Sequence, residues 1–255
     1  MSNKLTRFTG RAGFYAKHRS GYPDAIIGIL QRRAGWTPEA VVADIGAGTG
    51  ISSELFSRHG NEVWGVEPNA DMRAEAEPLL TRYPDFRMTD GVAEQTGLPN
   101  AAFDFVVAAT ALHWFDAARC RAEFRRILRP GGKVVLLWNL LRSPETPFLR
   151  EFEELSLRYR KQGRHRWGRE RHTINEAVSN LLGGPKAYAS HYLENVERLD
   201  FEGLKGRLLS SSHVPLPGDE QFDAMIAQLG ALFDRFAVDG QVEMSYQTAL
   251  FWGAL

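Results

Sequence analysis

Short apolar runs alternate with helically spaced segments through the first 140 or so residues of the chain. "VVADIG", from Val41 to Gly46, is an apolar run ended by glycine and predicts a strand and a turn. "ISSELFSRHG" predicts a helix from Ile51 closed by Gly60. "EVWGVEP" (Glu62 to Pro68) predicts a second strand. "NADMRAEAEPLL" opens on Asn69, a favoured N-cap, and predicts a helix. "DFRMTDG" (Asp85 to Gly91) is a third strand and "FDFVVAATAL" (Phe103 to Leu112) a fourth. The unbroken apolar character of the fourth suits burial on both faces. "DAARCRAEFRRILRPGG" is a helix with Asp116 as its cap and Pro-Gly-Gly as its stop, and "KVVLLWN" (Lys133 to Asn139) is a fifth strand. Ahead of them all, "PDAIIGILQRRAGW" has helical apolar spacing between Pro23 and Gly35. This alternation predicts an α/β protein with a doubly wound, mostly parallel sheet and right-handed crossovers.

The period changes after Asn139. "SPETPFLREFEELSLRYRKQG" (Ser143 to Gly163) predicts a helix with a Ser cap and a first-turn proline. "RHRWGRERH" (Arg164 to His172) reads as a charged loop, and "TINEAVSNLLGG" as a short helix. "YLENVERLDF" returns to strand, "GDEQFDAMIAQLGALFDRFAVDG" is a long helix, and "QVEMSYQTALFWGAL" is a last strand, at an edge or inside the sheet. The expected organisation is one domain over 1–255. Residues 1–36 form an N-terminal segment and first helix, 37–142 the core, 143–190 a helical cap insertion, and 191–255 the C-terminal strands and helices.

Composition narrows the function classes. The 255 residues carry 31 basic and 31 acidic side chains, which counts against a nucleic-acid partner. One cysteine, Cys120, excludes an internal disulfide and any multi-cysteine metal site. The N-terminus lacks the apolar core of a secretory signal, and no run suits a membrane helix, so a soluble cytoplasmic protein is expected. Only six of the basic residues are lysine, so arginine clusters carry less weight here. The loop residues Arg164, Arg166, Arg169 and Arg171, with His165 and His172, therefore read as a solvated face. A carboxylate clamp is the alternative.

The candidate chemistry begins at "GAGTG" (Gly46 to Gly50), between the first strand and its helix. Glycines at this point permit positive φ and close backbone approach to a ligand at the carboxyl ends of the strands. No Gly-Lys-Ser/Thr follows, so this is not a P-loop, and the third glycine comes one position too early for G-x-G-x-x-G. Glu67 ends the second strand about twenty residues further on, where an acid accepts ribose hydroxyls.

With those residues in view, the chain resembles the class I S-adenosylmethionine-dependent methyltransferases, which have a Rossmann-like sheet. "VVADIGAGTG" with "VEPN" is similar to their first two motifs. "GVAEQTGLPNAAFDFVVAATALHWFD" is similar to the next two, and "ILRPGGKVVLLWN" to the segment entering the fifth strand. "YAKHRSGYP" (Tyr15 to Pro23), "ALHWFD" and "RLLSSSHVPLPGDEQF" further resemble the trans-aconitate methyltransferase-like (methyltransferase type 11) group. Ser20 stands where that group usually has proline. Val92 stands where a polar residue often precedes the Ala-Glu pair.

The resemblance implies S-adenosyl-L-methionine as cofactor, with S-adenosyl-L-homocysteine as product, and a small-molecule acceptor such as a carboxylate. Its cofactor-binding positions are Asp44, Gly46, Ala47, Gly48 and Gly50 at the turn, Glu67 on the ribose, and Pro68 and Asn69 bordering the adenine. Ala93 and Glu94 lie opposite, and the Thr110 backbone meets the ammonium. Tyr15, Arg19 and Tyr22 form a lid over the cofactor, with Tyr15 and Arg19 among its binding residues; an amphipathic helix packed on the sheet is the competing reading. His113 and Trp114, with Tyr15 and Arg19, are the catalytic candidates, and Trp138 and Asn139 face the acceptor. Helix capping alone is the competing reading for Asn69 and Asp116, and a hydrogen-bonding role for His113. No metal and no membrane partner are expected, and the oligomeric state is open. The rival functions are an NAD-dependent oxidoreductase, an RNA or protein methyltransferase, and a cofactor-binding protein without turnover. "GAGTG" and "ALHWFD" argue against the first. The absence of an Asn/Asp-Pro-Pro-aromatic element and the balanced charge argue against nucleic acid.

Overall fold

The computed structural model describes residues 10, 12–143, 145–160, 167–211 and 213–255, and for 167–172 the backbone alone. It contains α1 (Ala12–His18), α2 (Ala25–Ala34), β1 (Val42–Ile45), α3 (Ile51–Ser57), β2 (Val63–Val66), α4 (Ala70–Glu75), α5 (Glu77–Arg82), β3 (Phe86–Thr89) and β4 (Phe103–Ala109). There follow α6 (Ala117–Ile127), β5 (Leu128–Leu141), α7 (Pro147–Arg158), α8 (Trp167–Leu182), β6 (Ala189–Leu199), α9 (Phe201–Leu209), α10 (Phe222–Phe236) and β7 (Val242–Gly253). A seven-stranded sheet has the order β3-β2-β1-β4-β5-β7-β6. The first five strands are parallel, and β7 runs antiparallel to both β5 and β6. This is the expected doubly wound, mostly parallel sheet. The last strand lies inside it, and β6 forms the edge.

Alternation along the central strands builds two core layers. Val106, Leu136 and Phe251 face α6 and α8, packing on Phe124, Ile127, Val178 and Leu181. Phe105, Val107, Val135 and Leu137 face α2 and α3, packing on Ile26, Leu30, Leu55 and Phe56. A third cluster joins α7, α9 and α10 to the ends of β6 and β7, through Phe152, Leu208, Met225, Leu229 and Met244, with Phe14 of α1 against it. Leu141, Val242 and Leu199 place this cap beyond the carboxyl end of β5.

Several local expectations are corrected. The cap of α7 is Thr146, which accepts the Leu149 amide, rather than Ser143. Trp167 to His172 begin α8 rather than a loop, while Arg164 to Arg166 lie outside the described residues. Of the segment 143–190, α7 joins the cap cluster, whereas α8 packs on the sheet beside α6. The helix after Asn69 is two short helices meeting at Ala76, just before Pro78. β5 begins at Leu128, so Pro130-Gly131-Gly132 is an irregularity within the strand, where the register with β4 shifts and Gly131 takes φ 84°. Finally, α9 was not foreseen. Gly203 and Gly206 weaken its helical signal, although the Asp200 cap and the apolar spacing Phe201, Leu204, Leu208 were present to be read.

Candidate functional site

The site lies where the strand order reverses, between the carboxyl ends of β1 and β4, which is where open α/β sheets bind ligands. A cavity of about 540 Å³ opens there, reached by residues of the glycine turn, the β2–α4 junction, the loop before β4, the β4–α6 junction and α1.

The floor is the turn after β1. Gly46 and Gly48 take φ 72° and 59°, and both line the cavity. A Cβ on Gly46 would stand 2.8 Å from the Ala111 Cβ, and one on Gly48 would stand 3.2 Å from the Met72 methyl. Bare backbone is thus required on the surface a ligand would meet. Gly50 also has positive φ, 85°, but it faces Leu79 and Phe86 and lines no part of the cavity. Its requirement is helix packing. Ala47 lines a narrower arm of the cleft together with Gly46, Gly48 and Thr110.

Asp44 is fully buried and lines neither the cavity nor its arm. Its Oδ2 accepts both the Ser52 and Ser53 hydroxyls at 2.7 Å, which ties β1 to the start of α3. Its Oδ1 has no hydrogen-bond partner among the described residues. Burial pushes its carboxyl up to about 6 from 3.8, and the two serines restrain the rise.

Glu67, just past β2, reaches across the cleft. Its Oε1 accepts the Asn69 amide at 2.9 Å and its Oε2 the Gly48 amide at 3.1 Å. Burial raises its pKa, and these amides and Arg73 oppose the rise. An ionised carboxylate has about four lone-pair positions. Two are used here, and two are left for the adjacent hydroxyls of a ribose. Pro68 and Asn69 continue the wall; Asn69 Oδ1 caps α4 by accepting the Met72 amide while the residue also lines the cavity. Asp116 has the same double position, capping α6 through the Ala118 and Arg119 amides at 3.1 Å. Ala93 and Glu94 form the opposite wall, with Glu94 Oε1 accepting the Asp116 amide at 2.8 Å.

Thr110 ends β4 with φ 54°, a left-handed value that a β-branched residue rarely takes. Its amide donates to the Leu137 carbonyl at 2.7 Å, and its Oγ1 lies 3.1 Å from the Tyr22 hydroxyl. The N-terminal segment therefore closes onto the strand end. Tyr15 lines the cavity, and Arg19 stands 5.3 Å from the Tyr15 ring centroid along the narrower arm.

Two candidate residues fall elsewhere. His113 is exposed, its ring centroid is 4.6 Å from that of Trp114 at a tilt of 45°, and it lines neither the cleft nor its arm, whereas Trp114 does line the cleft. A base at His113 has no geometric support. Trp138 points into the core against Phe251, and only its neighbour Asn139 reaches the narrower arm. Met72, Phe115 and Arg119 also form the wall, beyond the residues expected from the motifs. Met72 lies three residues after the cap Asn69 and Arg119 three after the cap Asp116, and Phe115 is the neighbour of Trp114, so their positions beside the motif residues pointed to them.

Residues 43–136 match the family described as a methyltransferase domain. An uncharacterized methyltransferase of Mycobacterium tuberculosis is 34% identical over 148 residues, which is 58% of each chain. The chain thus spans 58% of the length of the first curated relatives it matches. A solved structure of a putative type II methyltransferase from Anaeromyxobacter dehalogenans has a TM-score of 0.64 at 22% identity, covering 92% of this chain and 97% of its own. A SAM-dependent methyltransferase from Geobacter sulfurreducens, solved with S-adenosyl-L-homocysteine, has a TM-score of 0.53 at 16% identity over the whole of both chains. At these identities the two structures bear on the fold alone. Residues 43–136 are thus similar to a methyltransferase domain, and the chain shares the fold of these two structures.

Proposed function

We propose that this protein transfers a methyl group from S-adenosyl-L-methionine to a small-molecule acceptor, a carboxylate oxygen being the favoured target. The observation that carries the reading is the pairing of Glu67 with the Gly46–Gly48 turn at the mouth of a cavity of about 540 Å³. A nucleoside is matched there by an acid with lone pairs to give and by side-chain-free backbone to lie along.

When bound, the cofactor supplies a methyl already activated on a positively charged sulfur, so the protein need furnish neither nucleophile nor metal. Glu67 accepts the ribose hydroxyls, and Pro68, Asn69, Ala93 and Glu94 hold the base between two walls. Gly46 and Gly48 give backbone contact to the amino-acid end, and Asp44 holds the turn in shape from behind. Tyr15, Arg19 and Tyr22 cover the cleft and exclude water. Fixing donor and acceptor in line is worth roughly 7–11 kcal/mol in favourable cases.

Two observations support the carboxylate. A carboxylate is ionised at neutral pH, so its oxygen needs no base, and no histidine among the described residues lines the cleft or its arm. Arg19, on the wall of that arm, has no carboxylate partner among the described residues, leaving a guanidinium for an anionic acceptor. A neutral overall charge supports a small molecule over nucleic acid. No helix among the described residues is long and apolar enough to cross a membrane. A coupled assay of S-adenosyl-L-homocysteine release, run across small carboxylates, phenols and amines, tests the proposal. Turnover confined to carboxylates supports it, and turnover confined to amines or phenols overturns the acceptor assignment.

A further inference from the structure

A second cavity, of about 50 Å³, lies beneath the cap. Arg19, Ser20 and Asn139 line both this cavity and the arm of the cleft beside Gly46 and Thr110. Residues 12–22 are therefore the wall between the two spaces. No strand pairs with this segment among the described residues, and α1 is its one regular element. Its position must be set by side chains from elsewhere.

Asn139 and Asn195 each donate to the Gly21 carbonyl at 2.9 Å. Arg207 of α9 makes the larger connection. Its guanidinium donates to the His18 carbonyl, the Ser20 hydroxyl, the Tyr246 hydroxyl and the Glu197 carboxylate. Ser20 Oγ also donates to Glu197 at 3.2 Å. Arg207 is only 8% exposed, so one buried cation joins the segment to α9, β6 and β7. At the adjoining Gly206, an added Cβ would overlap the His18 ring, so the α9 backbone itself lies against the segment. A guanidinium presents its donors in a fixed fork, which an ammonium cannot reproduce. Arg207 lines no part of the cleft, so any effect on ligands there passes through the segment.

We infer that Arg207 is a positioning residue that holds 12–22 as the lid of the cleft and the wall of the cap cavity, setting Tyr15 and Arg19 over both. Only the identity of the ligand rests on the proposed function.

The test is hydrogen–deuterium exchange of the full chain, with and without S-adenosyl-L-homocysteine, on wild type, Arg207→Lys, Arg207→Met and Glu197→Gln. Without ligand, amides of 12–22 should exchange about tenfold faster in Arg207→Met while β1, β4 and β5 are unchanged. Arg207→Lys should fall between the two. With ligand, the apparent Kd of Arg207→Met should rise about tenfold if the closed segment falls to about a tenth of molecules. Equal exchange of 12–22 in wild type and Arg207→Met overturns the inference. If Arg207→Met does not fold, Glu197→Gln decides: faster exchange confined to 12–22 supports the inference and unchanged exchange overturns it. If wild type binds no ligand, the proposed function fails, and the ligand-free comparison still decides the role of Arg207.

Discussion

Glu67 accepts the Gly48 amide at 3.1 Å, so the acid that follows β2 is fastened to the glycine turn that follows β1. The bond bridges neighbouring parallel strands at their carboxyl ends. It presets the carboxylate over the cleft instead of leaving it to be ordered by a ligand.

Replacing Glu67 should therefore damage binding more than folding. Glu67→Ala is expected to weaken S-adenosyl-L-homocysteine binding by about 1.5–3 kcal/mol, the worth of hydrogen bonds to a charged group. Titration calorimetry reads the affinity and a melting curve checks the fold. Unchanged affinity would remove Glu67 from the site.

Gly46→Ala should act on stability as well. The new methyl would meet Ala111 at 2.8 Å from a backbone at φ 72°. Strain and overpacking each cost about 1–3 kcal/mol. Urea denaturation should show a loss in that range, and a loss below about 0.5 kcal/mol would contradict the turn geometry.

Asp44 predicts a pH dependence with a definite sign. Its folded value of about 6 lies above the ordinary 3.8, because burial favours the protonated form. Stability from this group is present below about pH 4 and lost as pH rises through 6. A rise of that size corresponds to about 3 kcal/mol. Asp44→Asn, which can still accept from Ser52 and Ser53, should lose less stability than wild type between pH 4 and 7.5. Parallel pH–stability curves for the two proteins would contradict this.

His113 and Trp114 should separate. His113 is exposed and outside the cavity, so His113→Ala should change ligand affinity by no more than about 0.5 kcal/mol. Trp114 lines the cleft, and Trp114→Ala should weaken binding measurably. Fluorescence quenching or calorimetry distinguishes them, and the reverse order would restore His113 as the functional residue.

The legible part of this protein is its parallel half. The period changes around Val41–Ile45, Val63–Val66 and Phe103–Ala109 reflect local constraints, burial on both faces and glycine at positive φ, so the turn and Glu67 could be read directly. Asp44 and Gly50 were read as ligand contacts because sequence shows that a turn needs them without showing which side of it they serve. One faces Ser52 and Ser53, the other Leu79. Arg207, Asn195 and Glu197 were invisible because their partners are far apart in sequence and no periodic pattern marks a polar network. The position of β7 between β5 and β6 was undecidable for a similar reason: apolar alternation fixes a strand's faces but not its neighbours.

The most direct measurement is titration calorimetry of the intact protein with S-adenosyl-L-homocysteine, with NADH as the comparison. The account predicts one saturable site of roughly micromolar affinity, about −8 kcal/mol, and no binding of NADH. No heat with S-adenosyl-L-homocysteine at millimolar concentration, or saturable binding of NADH in its place, would contradict it.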